Sequence, residues 1–131
     1  MAARRDEVLD RLARLARGRA GLRLLLVFGS QARGDARDGS DWDLGYLGAA
    51  ELDVEGLLAD VVEVVGTERV DLVDLARAGA QLRYRAAAEG RQLYSADGAF
   101  EWFWIAAVSF WCDAGPVIRA GYEGVLSSLR R

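Results

Sequence analysis

The sequence has 131 residues, a net charge of −3, 52% hydrophobic and 28% charged side chains, a globular composition with the length of one compact domain. It contains no histidine and no lysine, and all 17 basic residues are arginine. These absences exclude Ser-His-Asp triads, histidine-ligated zinc, Schiff-base lysines and a P-loop lysine, while the single Cys112 excludes disulfide frameworks and thiolate clusters.

Catalysis in such a chain rests on carboxylates, arginine, hydroxyls and a bound metal. No run of eighteen apolar residues occurs and no signal-peptide pattern opens the chain, so a cytoplasmic protein without a membrane span is expected. Seven arginines against Asp6, Glu7 and Asp10 give residues 1–23 a local balance of +4, read as a solvated helix face. The acidic remainder argues against direct nucleic-acid binding.

In chain order, Val8, Leu9, Leu12, Leu15 and Ala16 recur at helical spacing, predicting a helix over 4–17 that stops at Gly18. The apolar run Leu22 to Phe28, bounded by Gly21 and Gly29, predicts a buried strand. A polar connector follows to Ser40, and Asp41 to Leu47 predicts a second strand. Glu51 to Val65 carries Leu52, Leu57, Leu58, Val61, Val62 and Val65 along one helical stripe, closed by Gly66. Arg69 to Leu75 predicts a third strand, residues 77–89 a helix, and Arg91 to Ser95 a short edge strand.

From Asp97 onward the chain reads as a helical tail to residue 131, kinked or divided by Pro116. Phe100, Trp102, Phe103, Trp104, Phe110 and Trp111 surround that helix, so one core face cannot hide them all. Part core and part protein interface is the expectation, with Trp102, Phe103, Trp104 and Trp111 as interface candidates. Cys112 reads as a small buried apolar residue. The whole is one α/β (α+β) domain over 1–131, its core over about 20–95, with helices mainly on one side of a small mixed sheet of about four strands.

The chemistry concentrates in Gly29-Ser30-Gln31-Ala32-Arg33-Gly34 and Ser40-Asp41-Trp42-Asp43. Gly29 lets backbone amides approach a ligand closely, Ser30 adds a hydroxyl, and Arg33 adds a planar cation suited to phosphate oxygens. Asp41 and Asp43 stand two apart on a strand, so both carboxylates share a face while Trp42 points the other way. Paired carboxylates repel unless a cation joins them, and Mg²⁺ takes one or two carboxylates together with substrate phosphates. A third acid completes a two-metal site. Asp71 and Asp74 are candidates, and being three apart on one strand only one of them can join. Ser40 reads as the residue that fixes entry into the second strand.

Gly29-Ser30, ten residues, then Asp41-x-Asp43 resembles the GSx₁₀DxD signature of polymerase-β-type nucleotidyltransferases. The Val70-Asp71-Leu72-Val73-Asp74-Leu75 strand and the Glu89-Gly90-Arg91-Gln92-Leu93-Tyr94 segment are similar to the minimal nucleotidyltransferases, and Asp113-Ala114-Gly115-Pro116 to their antitoxin branch, the partners of HEPN toxins. The resemblance implies a polymerase-β-like nucleotidyltransferase fold. It implies that Gly29, Ser30, Arg33 and Ser40 bind the nucleotide, that Asp41, Asp43 and Asp71 are the catalytic, metal-binding acids, and that Asp74 is structural. It further implies ATP as substrate, one or two Mg²⁺ ions, and AMP transfer to a tyrosine hydroxyl of a HEPN-type ribonuclease toxin in a hetero-oligomer, a type VII-like antitoxin. The short chain leaves no room for the acceptor domain of larger relatives, which favours a partner that brings the acceptor. A binding-only antitoxin and a homodimeric small-molecule adenylyltransferase are the rival readings.

Overall fold

The computed structural model describes residues 2–37 and 39–113. Nine elements follow one another: α1 (Ala2–Arg17), β1 (Leu22–Phe28), α2 (Ser30–Arg33), β2 (Trp42–Gly48), α3 (Val54–Val65), β3 (Val70–Asp74), α4 (Ala80–Glu89), β4 (Arg91–Ser95) and α5 (Ala99–Asp113). The tail expected beyond residue 113, with its kink at Pro116, lies outside the described residues.

The four strands form one mixed sheet in the order β3-β2-β1-β4. β1 is antiparallel to both β2 and β4, and β2 is parallel to β3 through the α3 crossover. A strand flanked on both edges and covered on both faces is apolar where it is covered, which is why β1 shows no alternation from Leu24 to Phe28, its one charged residue, Arg23, being exposed near the strand's start. Its side chains nonetheless divide cleanly. Leu25 and Val27 pack with α1 and α3 through Val8, Leu9, Leu12, Leu57 and Val61. Leu24, Leu26 and Phe28 pack with α4 and α5 through Ala86, Ala87, Phe103 and Ala107. Full burial of each such leucine contributes about 1.5–3 kcal/mol.

The expectation of helices mainly on one side is therefore corrected. Two helices cover each face, because β1 offers an apolar surface to both. α3 also starts later than its apolar stripe, at Val54, because the Asp53 side chain accepts the Gly56 amide at 3.0 Å and caps the helix. Gly66 closes it at φ 85°, a left-handed conformation that a side chain would resist. Cys112, expected in the core, is exposed. No helix among the described residues is long and apolar enough to cross a membrane.

Candidate active site at the ends of β1 and β2

β2 alternates. Trp42, Leu44 and Tyr46 turn toward α1 and α3, and Asp43 turns to the opposite face. β1 ends with Phe28 paired to Asp43, so the Gly29-Ser30 turn emerges beside that carboxylate. Gly29 has φ 72°, and a Cβ placed on it would lie 2.5 Å from Asp43 Oδ2. The missing side chain is thus what allows the acid to lie against the turn. Gly29→Ala is expected to displace Asp43 and cut any activity of the site at least about tenfold, through backbone strain and a collision together. A variant with unchanged turnover would remove this role for Gly29.

Parallel pairing settles which acid on β3 approaches. Asp71 is the register partner of Asp43, and Asp74 is the partner of Tyr46. Laterally paired residues share a face, so Asp71 joins Asp43 and Asp74 goes to the other side. Asp74 instead accepts the Ala76 amide at 3.0 Å and pairs with Arg77 at 3.8 Å, which holds the turn after β3. The α4 helix is preceded by Gly79, so Asp74 does not cap it.

Asp43 carries the electrostatic signature of the cluster. Partial burial pushes its carboxyl above the usual range, and the neighbouring Asp71 and Asp41 charges push the same way. Arg85, and more weakly Arg33, oppose the rise. Asp41 itself is 70% exposed at the mouth of the site, and its nearest cation is Arg69 at 3.9 Å. Among the described residues no three acidic side chains form a ready-made metal cage. Asp41 and Asp71 act electrostatically on the partly buried Asp43, a chemistry that suits a hard divalent ion only where phosphate oxygens complete its shell.

The phosphate candidates occupy different positions. Ser30 and Arg33 open and close the four-residue α2. Arg33 pairs with Asp35 at 3.3 Å and Glu89 at 3.8 Å. Ser40 Oγ accepts the Arg37 amide at 2.8 Å, so it fixes the turn leading into β2, as its position in the sequence suggests. Arg85 is the residue that sequence reasoning missed. It stands on α4 with its guanidinium 5.6 Å from the centre of the Phe28 ring, paired with Glu89 at 3.3 Å. No local motif marks it, because only the packing of α4 across β1 brings it to Asp43.

The aromatic candidates on α5 divide. Trp102 is 75% exposed, and Trp104, Ile105 and Phe110 are also exposed. Phe103, by contrast, is 3% exposed in the core beneath α5, and Trp111 is buried and stacks on Tyr84 with ring centroids 4.9 Å apart. These two are corrected from surface to core, because they share the helical stripe of Ala99 and Ala107.

Residues 11–99 match the sequence profile of the family described as polymerase beta, nucleotidyltransferase. A chain in a solved toxin-antitoxin complex with AMP-PNP is 24% identical, with a TM-score of 0.67 over 96% of this chain and 98% of that chain. A chain in the complex of tri-AMPylated Shewanella oneidensis HEPN toxin with MNT antitoxin is 22% identical, with a TM-score of 0.65 over 97% of this chain and 99% of that chain. At those identities the likeness is one of fold. A structure described as a minimal nucleotidyltransferase reaches 32% identity over 69% of this chain and 89% of that chain, with a TM-score of 0.51. No individual curated protein matches the sequence.

Proposed function

The chain belongs to the polymerase beta nucleotidyltransferase family, and from that premise we propose that it transfers AMP from ATP to a hydroxyl of a partner protein. The observation that carries this reading is the register that sets Asp71 beside Asp43, next to the Gly29-Ser30 turn. Ser30 donates its hydroxyl to a phosphate oxygen, and Arg33 and Arg85 exchange Glu89 for the triphosphate. Asp41, Asp43 and Asp71 would hold Mg²⁺, as one or two ions, which would supply neutralisation of the phosphate charge. Asp71 accepts the proton of the acceptor hydroxyl. In a chain without histidine, a carboxylate is the available base. The acceptor oxygen bonds to the α-phosphorus, the bond to the β-phosphate oxygen breaks, and pyrophosphate leaves.

The acceptor we assign is a tyrosine hydroxyl of a HEPN-type toxin, which makes this chain a type VII-like antitoxin acting in the cytoplasm, where ATP is available. The fold likeness to HEPN–MNT complexes supports it, and so do Trp102 and Trp104, exposed on α5 where a partner can cover them. The test is intact-mass analysis of the co-expressed neighbouring gene product after incubation with ATP and Mg²⁺. An AMP-sized increment that Asp41→Ala abolishes is expected. Neutralisation of the partner with no increment would show binding alone, and turnover of a small alcohol without a partner would show the small-molecule enzyme.

A further inference from the structure

A second feature lies on the other side of the sheet from Asp43. There an open cavity of about 680 Å³ runs between the start of α1, the back of α2, Ala36, Arg37 and Gly39 before β2, and the end of α3. Arg4, Arg5 and Arg37 stand around it, with Gln31 and Ser40 on its walls and Trp42 on its floor. Trp42 belongs to the core on the α1 and α3 face, so this space does not open onto the acidic cluster.

Three properties of the cavity point the same way. First, the described lining contains three arginines and no Asp or Glu, in a chain whose net charge is −3. Arg5 pairs with Asp6 at 3.6 Å, and among the described residues Arg4 and Arg37 have no ion-pair partner. Uncompensated cations around a concavity focus positive potential into it. Second, Gln31 is only 6% exposed, and among the described residues its side-chain amide makes no hydrogen bond. Neither amide atom is fully buried, so the carboxamide stays open to a ligand in the cavity. Third, Arg5 Nε is buried and likewise without a partner.

We propose that this cavity binds a phosphate-bearing small molecule of nucleotide size, at a site separate from the acidic one. Guanidinium forks match phosphate oxygens bidentately, and a carboxamide both donates to and accepts from a ribose or base edge. The volume lies within the range of about 300–1,000 Å³ typical of ligand pockets, suited to a nucleoside diphosphate rather than a folded RNA. A divalent cation is excluded by the arginines. The site also touches the mouth of the acidic cluster. Its wall at Gly39 and Ser40 leads directly into Asp41, and Arg69 clasps that wall by donating to the Gly39 carbonyl while facing Asp41. Occupancy therefore bears on where Asp41 sits. The inference does not rest on the transferase reading, since it uses none of the proposed catalytic acids.

Calorimetric titration of the full chain in EDTA tests it, with ADP and inorganic pyrophosphate as the probes. EDTA removes the divalent ion that the acidic site would need. At least one probe is expected to bind, and the double variant Arg4→Glu/Arg37→Glu weakens it at least tenfold. Both side chains are exposed, so the variant should keep the wild-type circular dichroism; Arg37→Ala alone, expected to weaken binding severalfold, serves if it does not. Ser30→Ala and Asp43→Asn leave this affinity unchanged. Equal binding of pyrophosphate and ADP identifies a site that reads phosphate alone, whereas preference for ADP brings in Gln31 and the nucleoside. Absence of heat with both probes, binding indifferent to the arginine variants, or loss in Ser30→Ala would overturn the proposal. So would binding of a single-stranded oligonucleotide where neither probe binds.

Discussion

Asp43→Asn is expected to raise the melting temperature of the metal-free protein while lowering nucleotidyl transfer by about a thousandfold or more. The two effects have one origin. Burial, reinforced by Asp71 and Asp41, raises the Asp43 carboxyl above its ordinary value. Below about pH 3, the carboxyl is largely protonated in both the folded and the unfolded chain, and it imposes little penalty. As pH rises toward the raised value, the unfolded chain releases its proton first, and folded stability falls. At neutral pH the full penalty is present, and asparagine removes it. Arg85 offsets part of the penalty and solvent screens more, so the expected rise is small. Thermal melting at about pH 7 and about pH 3 checks the sign, since the difference between variant and wild type should shrink in acid. Added Mg²⁺ should raise the melting temperature of the wild type and leave that of the variant in place. A variant that melts lower than wild type at pH 7 would mean that Asp43 is paired rather than repelled.

The second large effect separates two neighbours on α5. Phe103→Ala removes a ring buried among Leu24, Leu26, Phe28 and Ala107, and should cost about 3–5 kcal/mol. Trp102→Ala removes a ring that is 75% exposed and should alter stability by no more than about 0.5 kcal/mol. If the exposed face receives a partner, Trp102→Ala should weaken that association by about 2 kcal/mol, roughly thirtyfold. Chemical denaturation and a pull-down titration of the same two variants measure both quantities. Equal destabilisation by the two substitutions would contradict the division of α5 into a buried and an open side.

How far the sequence alone carried these conclusions differs from element to element. β1 and β4 fall at Leu22–Phe28 and Arg91–Ser95, as their patterns predict, because glycine closes the first and opens the second. Asp41, Trp42 and Asp43 were legible through the period of two, which separates the carboxylates from the buried indole. Asp71 over Asp74 was not legible from spacing, since both sit on one apolar strand. The family resemblance preferred Asp71, and the parallel register, which only the assembled sheet supplies, places it beside Asp43.

The layering was misread for a related reason. An apolar run such as Leu24 to Phe28 is compatible with cover on one face or both, and the division of β1 between two cores becomes visible only once its partners are known. Arg85 and the arginine cavity were beyond reach because each depends on elements distant in sequence. Arg4 and Arg5 read as a solvated helix face until they are seen to share a cavity with Arg37. The crowd of aromatics in α5 was visible, but its division into Phe103 and Trp111 inside and Trp102 and Trp104 outside required the sheet beneath the helix.

The central claim is that the acids at the ends of β2 and β3 direct AMP onto a partner's hydroxyl. Intact-mass analysis of the co-purified partner, incubated with ATP and Mg²⁺, tests it most directly. The account predicts a gain of one AMP per modified hydroxyl with wild-type protein and no gain with Asp41→Ala or Asp43→Asn. An unmodified partner under wild-type conditions, or a gain that survives both substitutions, would contradict it.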